Sequence, residues 1–118
     1  MRSRHWCLLS ATIAMTVIGF AAQSYAAEPN KGMALYRGHC AACHGIDGGG
    51  SGPKASGMNP APTNLRNRAL MNAMQDSQLE RAILAGKPGT AMKGYGTVMN
   101  PQDVGALIKY LRSLSISP

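Results

Sequence analysis

The chain of 118 residues is poor in aromatic side chains, with one Trp, one Phe and four Tyr. Trp6, Phe20 and Tyr25 fall near its start, so that only Tyr36, Tyr95 and Tyr110 serve the remainder. A strand needs a β-branched or alternating apolar run, and none is present, which argues against any sheet architecture. Gly49-Gly50-Ser51-Gly52-Pro53-Lys54 is rich in glycine but lacks the Gly-Lys-Ser/Thr order and the preceding strand of a phosphate loop. No apolar stretch has the about 20 residues that a spanning helix requires.

The N-terminal stretch has a separate reading. Arg2 and Arg4 precede a mostly apolar run from Leu8 to Phe20, and Ser24-Tyr25-Ala26 offers small residues at a cleavage position. This is the pattern of a secretory signal peptide over residues 1–26, cut after Ala26. The mature domain, 27–118, would then have 118 less 26, or 92 residues. Cys7 is discarded with the leader, and Cys40 and Cys43 remain. A domain of this size buries little more than about 60% of its unfolded surface. With three tyrosines as its only aromatics, it needs apolar bulk from elsewhere.

That bulk is suggested by Cys40-Ala41-Ala42-Cys43-His44. Positions i, i+3 and i+4 share one face of a helical turn. Two soft nucleophiles and an imidazole therefore point the same way, as needed to bond both vinyl groups of a haem and ligate its iron. The C-x-x-C-H spacing is that of c-type haem attachment. A bare C-x-x-C also occurs in redox pairs, which follow a strand, and in zinc sites, which need four ligands. Upstream of Cys40 there is no strand pattern, and only His39 stands near enough to complete a zinc set. One haem c, bound through Cys40 and Cys43, is the cofactor expected.

Helices are expected from Asn30, through Gly32, Tyr36 and Cys40 on one stripe; over Arg66–Met74; from Ser77, where Ser77-Gln78-Leu79-Glu80 has the form of a capping box; and from Asn100. The last carries Val104, Leu107, Ile108 and Leu111 at i, i+3, i+4 and i+7. Between them, Gly45 to Asn64 reads as a loop around the His44 side. It is placed to give a backbone carbonyl to His44 Nδ1, with Pro62 or Pro60 stiffening the contact. The fold class is all-α.

A haem iron held by His44 has a second face. Met33, Met71 and Met74 lie in helical stretches, and Met58 is close in sequence to the His44 side. Met99 precedes the Asn100 cap with Val104 in position to staple it. Met92 lies in an irregular loop with Gly89, Gly94 and Gly96, and is the expected second ligand, with Met99 next. A thioether favours Fe(II), and two protein ligands leave no place for a substrate, which suits a carrier and not an enzyme.

In these motifs the chain resembles class I cytochromes c, particularly small monohaem bacterial ones and cytochrome subunits of periplasmic dehydrogenases. Cys40 to Gly45, Gly86 to Met92 and Asp103 to Leu111 carry the resemblance, which covers nearly all of Asn30 to Leu114. It implies short helices around one haem, with Gly32 and Tyr36 of the first helix crossing Leu107 and Tyr110 of the last. It also implies Met92 as distal ligand and a partly exposed haem edge as electron port. The expected function is periplasmic electron transfer by a His44/Met92-ligated haem. The alternatives are a tightly bound cytochrome subunit of a dehydrogenase or oxidase complex, and a haem sensor or peroxidase. Without Arg2 and Arg4 the formal charge of +7 falls to +5. That balance favours redox proteins with acidic docking surfaces over nucleic acid, and membrane contact that is at most peripheral.

Overall fold

The computed structural model describes residues 27–116, and the proposed leader over 1–26 lies outside them. Among the described residues five helices are formed: α1 (Ala27–His39), α2 (Ala41–His44), α3 (Arg68–Ala73), α4 (Asp76–Ala85) and α5 (Pro101–Leu114). Among the described residues the only β feature is an isolated antiparallel bridge between Gly86 and Lys93. The all-α expectation holds.

The apolar stripe of α5 organises the core. Val104, Leu107, Ile108 and Leu111 are buried, and they pack with Tyr36, Leu65, Met71, Leu79, Ile83 and Met99. Burying one such side chain contributes about 1.5–3 kcal/mol. Packing of α1 on α5 is the main helix contact, and Gly32 makes it possible. A Cβ at Gly32 would lie 2.9 Å from both the Ala106 carbonyl carbon and Tyr110 Cβ. Tyr36 is fully buried, and its ring stands 5.3 Å from that of Tyr110. Lys31 Nζ meets Asp103 Oδ1 at 2.6 Å and ties the same two helices at the surface.

Local signals at helix starts are met at α5 and shifted elsewhere. Asn100 accepts from Asp103 N–H at 2.9 Å, Asp103 accepts from Asn100 N–H at 3.0 Å, and Pro101 occupies the first helical position. Helix α1 begins at Ala27, so Asn30 lies within it and is not its cap. Pro29 is tolerated there because the first turn's N–H groups have no intrahelical partner. Helix α4 begins at Asp76, ahead of the Ser77 box: Gln78 accepts from Gln75 N–H at 2.8 Å instead. Arg112 explains the shift. Its guanidinium donates to Asp76 Oδ1 at 2.7 Å and to the carbonyls of Met74 and Met71, which fixes Asp76 in the first turn of α4. Helix α3 is shorter than expected, with Asn67 as its cap accepting from Leu70 N–H at 3.1 Å.

Candidate functional site

Cys40 lies at the junction where α1 ends and α2 begins. Its N–H still bonds the Tyr36 carbonyl at 2.8 Å, while its own carbonyl accepts from His44 N–H at 2.9 Å. Cys43 and His44 follow on the single turn of α2, so the expected i, i+3, i+4 cluster is formed. Both thiols are half-buried and neither is in a disulfide. Burial, and then the neighbouring Cys43, pushes the Cys40 thiol up to about 11. Cys40 follows a helix, unlike the strand-borne cysteines of redox pairs. Among the described residues no three His, Cys, Asp or Glu side chains converge to hold a bare ion.

The loop after α2 is folded back onto it. Gly50 N–H donates to the His44 carbonyl at 2.7 Å, Gly52 N–H to that of Cys43 at 3.0 Å, and Lys54 N–H to that of Ala42 at 2.8 Å. Gly50 has φ +88°, and a Cβ there would sit 2.7 Å from the Pro62 carbonyl oxygen. This close approach brings Thr63 beside the imidazole, and His44 Nδ1 is 3.0 Å from the Thr63 carbonyl oxygen. The carbonyl therefore fixes Nδ1 as the protonated nitrogen and leaves Nε2 to ligate a metal. Thr63 follows Pro62 directly, so Pro62 is the proline adjoining this contact. Leu65 N–H to the Gly48 carbonyl, 2.7 Å, and Arg66 to Asp47, 3.3 Å, lock the segment from its far side. The Gly49 N–H, ahead of the Arg66 guanidinium, holds the Asp47 carboxyl below its ordinary range. Tyr36 Oη donates to the Gly45 carbonyl at 2.6 Å, linking this loop to the core.

The methionines separate by environment. Met71 and Met99 are buried in the apolar core, and Met74 packs against it. Met92 is half-buried in the loop between α4 and α5. Thr90 shapes that loop by donating to the Lys87 carbonyl at 2.7 Å and accepting from Met92 N–H at 3.2 Å. Lys87 N–H donates to the Met92 carbonyl at 3.0 Å. At Gly86 φ is +73°, and a Cβ would lie 2.6 Å from that same carbonyl oxygen. Tyr95, in the same loop, donates through Oη to the His39 carbonyl at 2.8 Å. Burial, then Cys40 and Cys43, push its phenol above the ordinary range.

Two thiols and an imidazole with a free Nε2 on one turn fit a tetrapyrrole with two vinyl groups and a central iron. A family model for cytochrome c matches residues 29–115. The chain belongs to the cytochrome c family. This cytochrome is similar to the dihydro-heme d1 dehydrogenase of Pseudomonas aeruginosa, 37% identical over 81 residues, which is 68% of this chain and 14% of that protein. It is also similar to cytochrome c55X of Stutzerimonas stutzeri, 35% identical over 72 residues, which is 61% of this chain and 55% of that protein. The chain thus spans less than two thirds of the length of either relative. Membership means covalent haem c, for which Cys40 and Cys43 have the required spacing, and a role in electron transport.

The expected loop carbonyl on His44 Nδ1 is that of Thr63, whereas two contacts had no forerunner in the sequence: the Tyr95 bond to His39 and the Arg112 clamp. Pro62, directly before Thr63, is one of the two prolines expected beside that contact. The Tyr95 and Arg112 contacts join residues 56 and 38 positions apart, and no local pattern marks them.

Proposed function

We propose that this cytochrome is a periplasmic one-electron carrier whose haem is ligated by His44 Nε2 and Met92 Sδ and which catalyses no reaction of its own. The observation that carries the reading is the His44 ring, already oriented by the Thr63 carbonyl at 3.0 Å with Nε2 left for iron. When bound, the haem supplies reversible exchange of a single electron between Fe(III) and Fe(II). Cys40 and Cys43 would tether it, and His44 would present Nε2 to its iron. Met92, rather than Met99, is the distal ligand because Met99 is 5% exposed and fills the core ahead of the Asn100 cap. A soft, neutral thioether raises the potential relative to a second imidazole. Two protein ligands leave no coordination position for a substrate, which disfavours the sensor and peroxidase readings. The leader over 1–26 directs the chain to the periplasm.

Lys87, Lys93 and Val98 are exposed on the Met92 loop, Val98 at 63%. A loop that exposes two cations and an apolar side chain suits a partner with an acidic rim, and electron transfer should slow as salt screens the pair. One observation supports a second reading, a bound subunit. The match to the Pseudomonas aeruginosa protein occupies 14% of a chain named as a dehydrogenase, so a related module there is joined to a much larger polypeptide. Elution of the native protein with a large partner on size exclusion selects the subunit, and elution alone selects the free carrier.

A potentiometric titration with carbon monoxide as a control tests the carrier. The expected result is a one-electron Nernst curve and no carbon monoxide binding to the reduced protein at neutral pH. Ready binding would give the distal face to a small ligand and refute the carrier assignment.

A further inference from the structure

We propose that Tyr95 is a positioning residue, a latch that holds the Met92 loop against the segment carrying Cys40. The proposal rests on Met92 as distal ligand, but its geometry stands separately. The Tyr95 backbone is fixed to α4 by its N–H on the Ile83 carbonyl at 2.8 Å, with Gly96 N–H on that of Leu84 at 3.0 Å. The Tyr95 carbonyl accepts from the N–H groups of Val98 and Met99, both at 3.0 Å, which carries the chain on towards α5. With the main chain held this way, the side chain reaches back across 56 residues of sequence to donate to the His39 carbonyl at 2.8 Å.

His39 is the last residue of α1, where carbonyls lack an intrahelical partner, and Cys40 follows it. The bond therefore caps α1 at the point where the first thiol is presented. The His39 ring meets the Tyr95 ring edge-on at 5.3 Å, and Lys93 Nζ lies 5.8 Å from the Tyr95 centroid. The other hydrogen bonds of the described loop run within it or back to α4: Lys87 to Met92, Thr90 to Lys87, Met92 to Thr90, and Gly96 to Leu84. Tyr95 is what joins the loop to the attachment segment. Breaking the phenol bond frees the loop to swing on α4 with Met92, without unfolding α1 or α5.

The test compares the haem-loaded wild type with Tyr95→Phe, which keeps the ring and removes the hydroxyl. Two quantities are read: imidazole affinity of the ferric protein and amide hydrogen exchange. A net hydrogen bond lost from the closed loop should raise imidazole affinity about two- to tenfold. Exchange at the Lys87 and Gly96 amides should speed up by a similar factor, while the Leu107 and Leu111 amides are unchanged. Unchanged affinity together with unchanged loop exchange overturns the latch. Exchange accelerated equally in α5 also overturns it, because Tyr95 would then be a general stabiliser. Met92→Ala separates the two levels. If it leaves imidazole affinity unchanged, the ligand assignment fails, and loop exchange in Tyr95→Phe alone then decides the latch.

Discussion

The segment after His44 and the segment around Met92 are both irregular and glycine-bearing, but they are tied down differently. The first returns its hydrogen bonds to the very turn that carries His44: Gly50 N–H to His44, Gly52 N–H to Cys43 and Lys54 N–H to Ala42, while the Thr63 carbonyl accepts from the imidazole. The second is closed on itself and on the end of α4, and reaches the attachment segment through a tyrosine side chain. A backbone web makes the His44 side part of the fold. A side-chain contact leaves the Met92 side as a separable unit of lower local stability, as expected where binding or exchange events occur. The two proposed haem ligands are thus held by different means.

The largest effect should come from removing what both segments close upon. Cys40→Ser with Cys43→Ser abolishes covalent attachment, so intact mass shows no added haem. A core with three tyrosines then loses the apolar bulk it folds around, and the cooperative thermal transition in circular dichroism is lost or sharply lowered.

A matched pair of substitutions breaks the comparison more finely. Gly50→Ala drives a methyl against the Pro62 carbonyl, and Gly86→Ala drives one against the Met92 carbonyl; both have positive φ. Each collision costs about 1–3 kcal/mol. On the His44 side the cost should appear as global destabilisation in urea with methionine ligation retained. On the Met92 side it should appear mainly as weakened methionine ligation, read as a fainter red sulfur–iron absorption. Equal effects on both readouts would erase the distinction between the loops.

Arg112→Met tests the platform on which the Met92 loop stands. It removes the bonds from α5 to Asp76 and to the Met74 carbonyl that fix α3 and the start of α4. Loss of charge-assisted bonds of this type costs about 1.5–3 kcal/mol. Urea unfolding should show that loss, with the His44 side of the protein unaffected in its amide exchange until global unfolding.

Acid gives the smallest effect. Asp47 is held below its ordinary range by Gly49 N–H and Arg66, so its contribution is present above the usual carboxylate range and lost as pH falls through the lowered value. The Met92 loop, 86–99, contains no carboxylate. Acid should therefore loosen the Gly48–Leu65 contact before the Lys87–Met92 contact, as followed by amide exchange, and Asp47→Asn should remove that order.

How much of this was legible beforehand follows the range of each interaction. Cys40, Cys43 and His44 are a contiguous motif, and the α5 stripe repeats within two turns, so both could be read from residue types alone. Met92 and Met99 were separated by their neighbours, glycine on one side and a helix cap on the other, and the half-buried loop position and the core position agree with that. The start of α4 was misplaced by the Ser77 box, because the bond that decides it comes from Arg112, 36 residues away. A carbonyl from the 45–64 loop on His44 Nδ1 is legible from the loop's place after the imidazole, but not that Thr63 supplies it, because any residue has a backbone carbonyl.

The central proposal is that His44 and Met92 grip one haem from opposite faces. The direct measurement is the red sulfur–iron charge-transfer absorption of the ferric, haem-loaded protein at neutral pH, in wild type and in Met92→Ala. The account predicts that the band is present in wild type and absent in the variant. A wild-type spectrum without the band, or a variant that keeps it, would contradict the account.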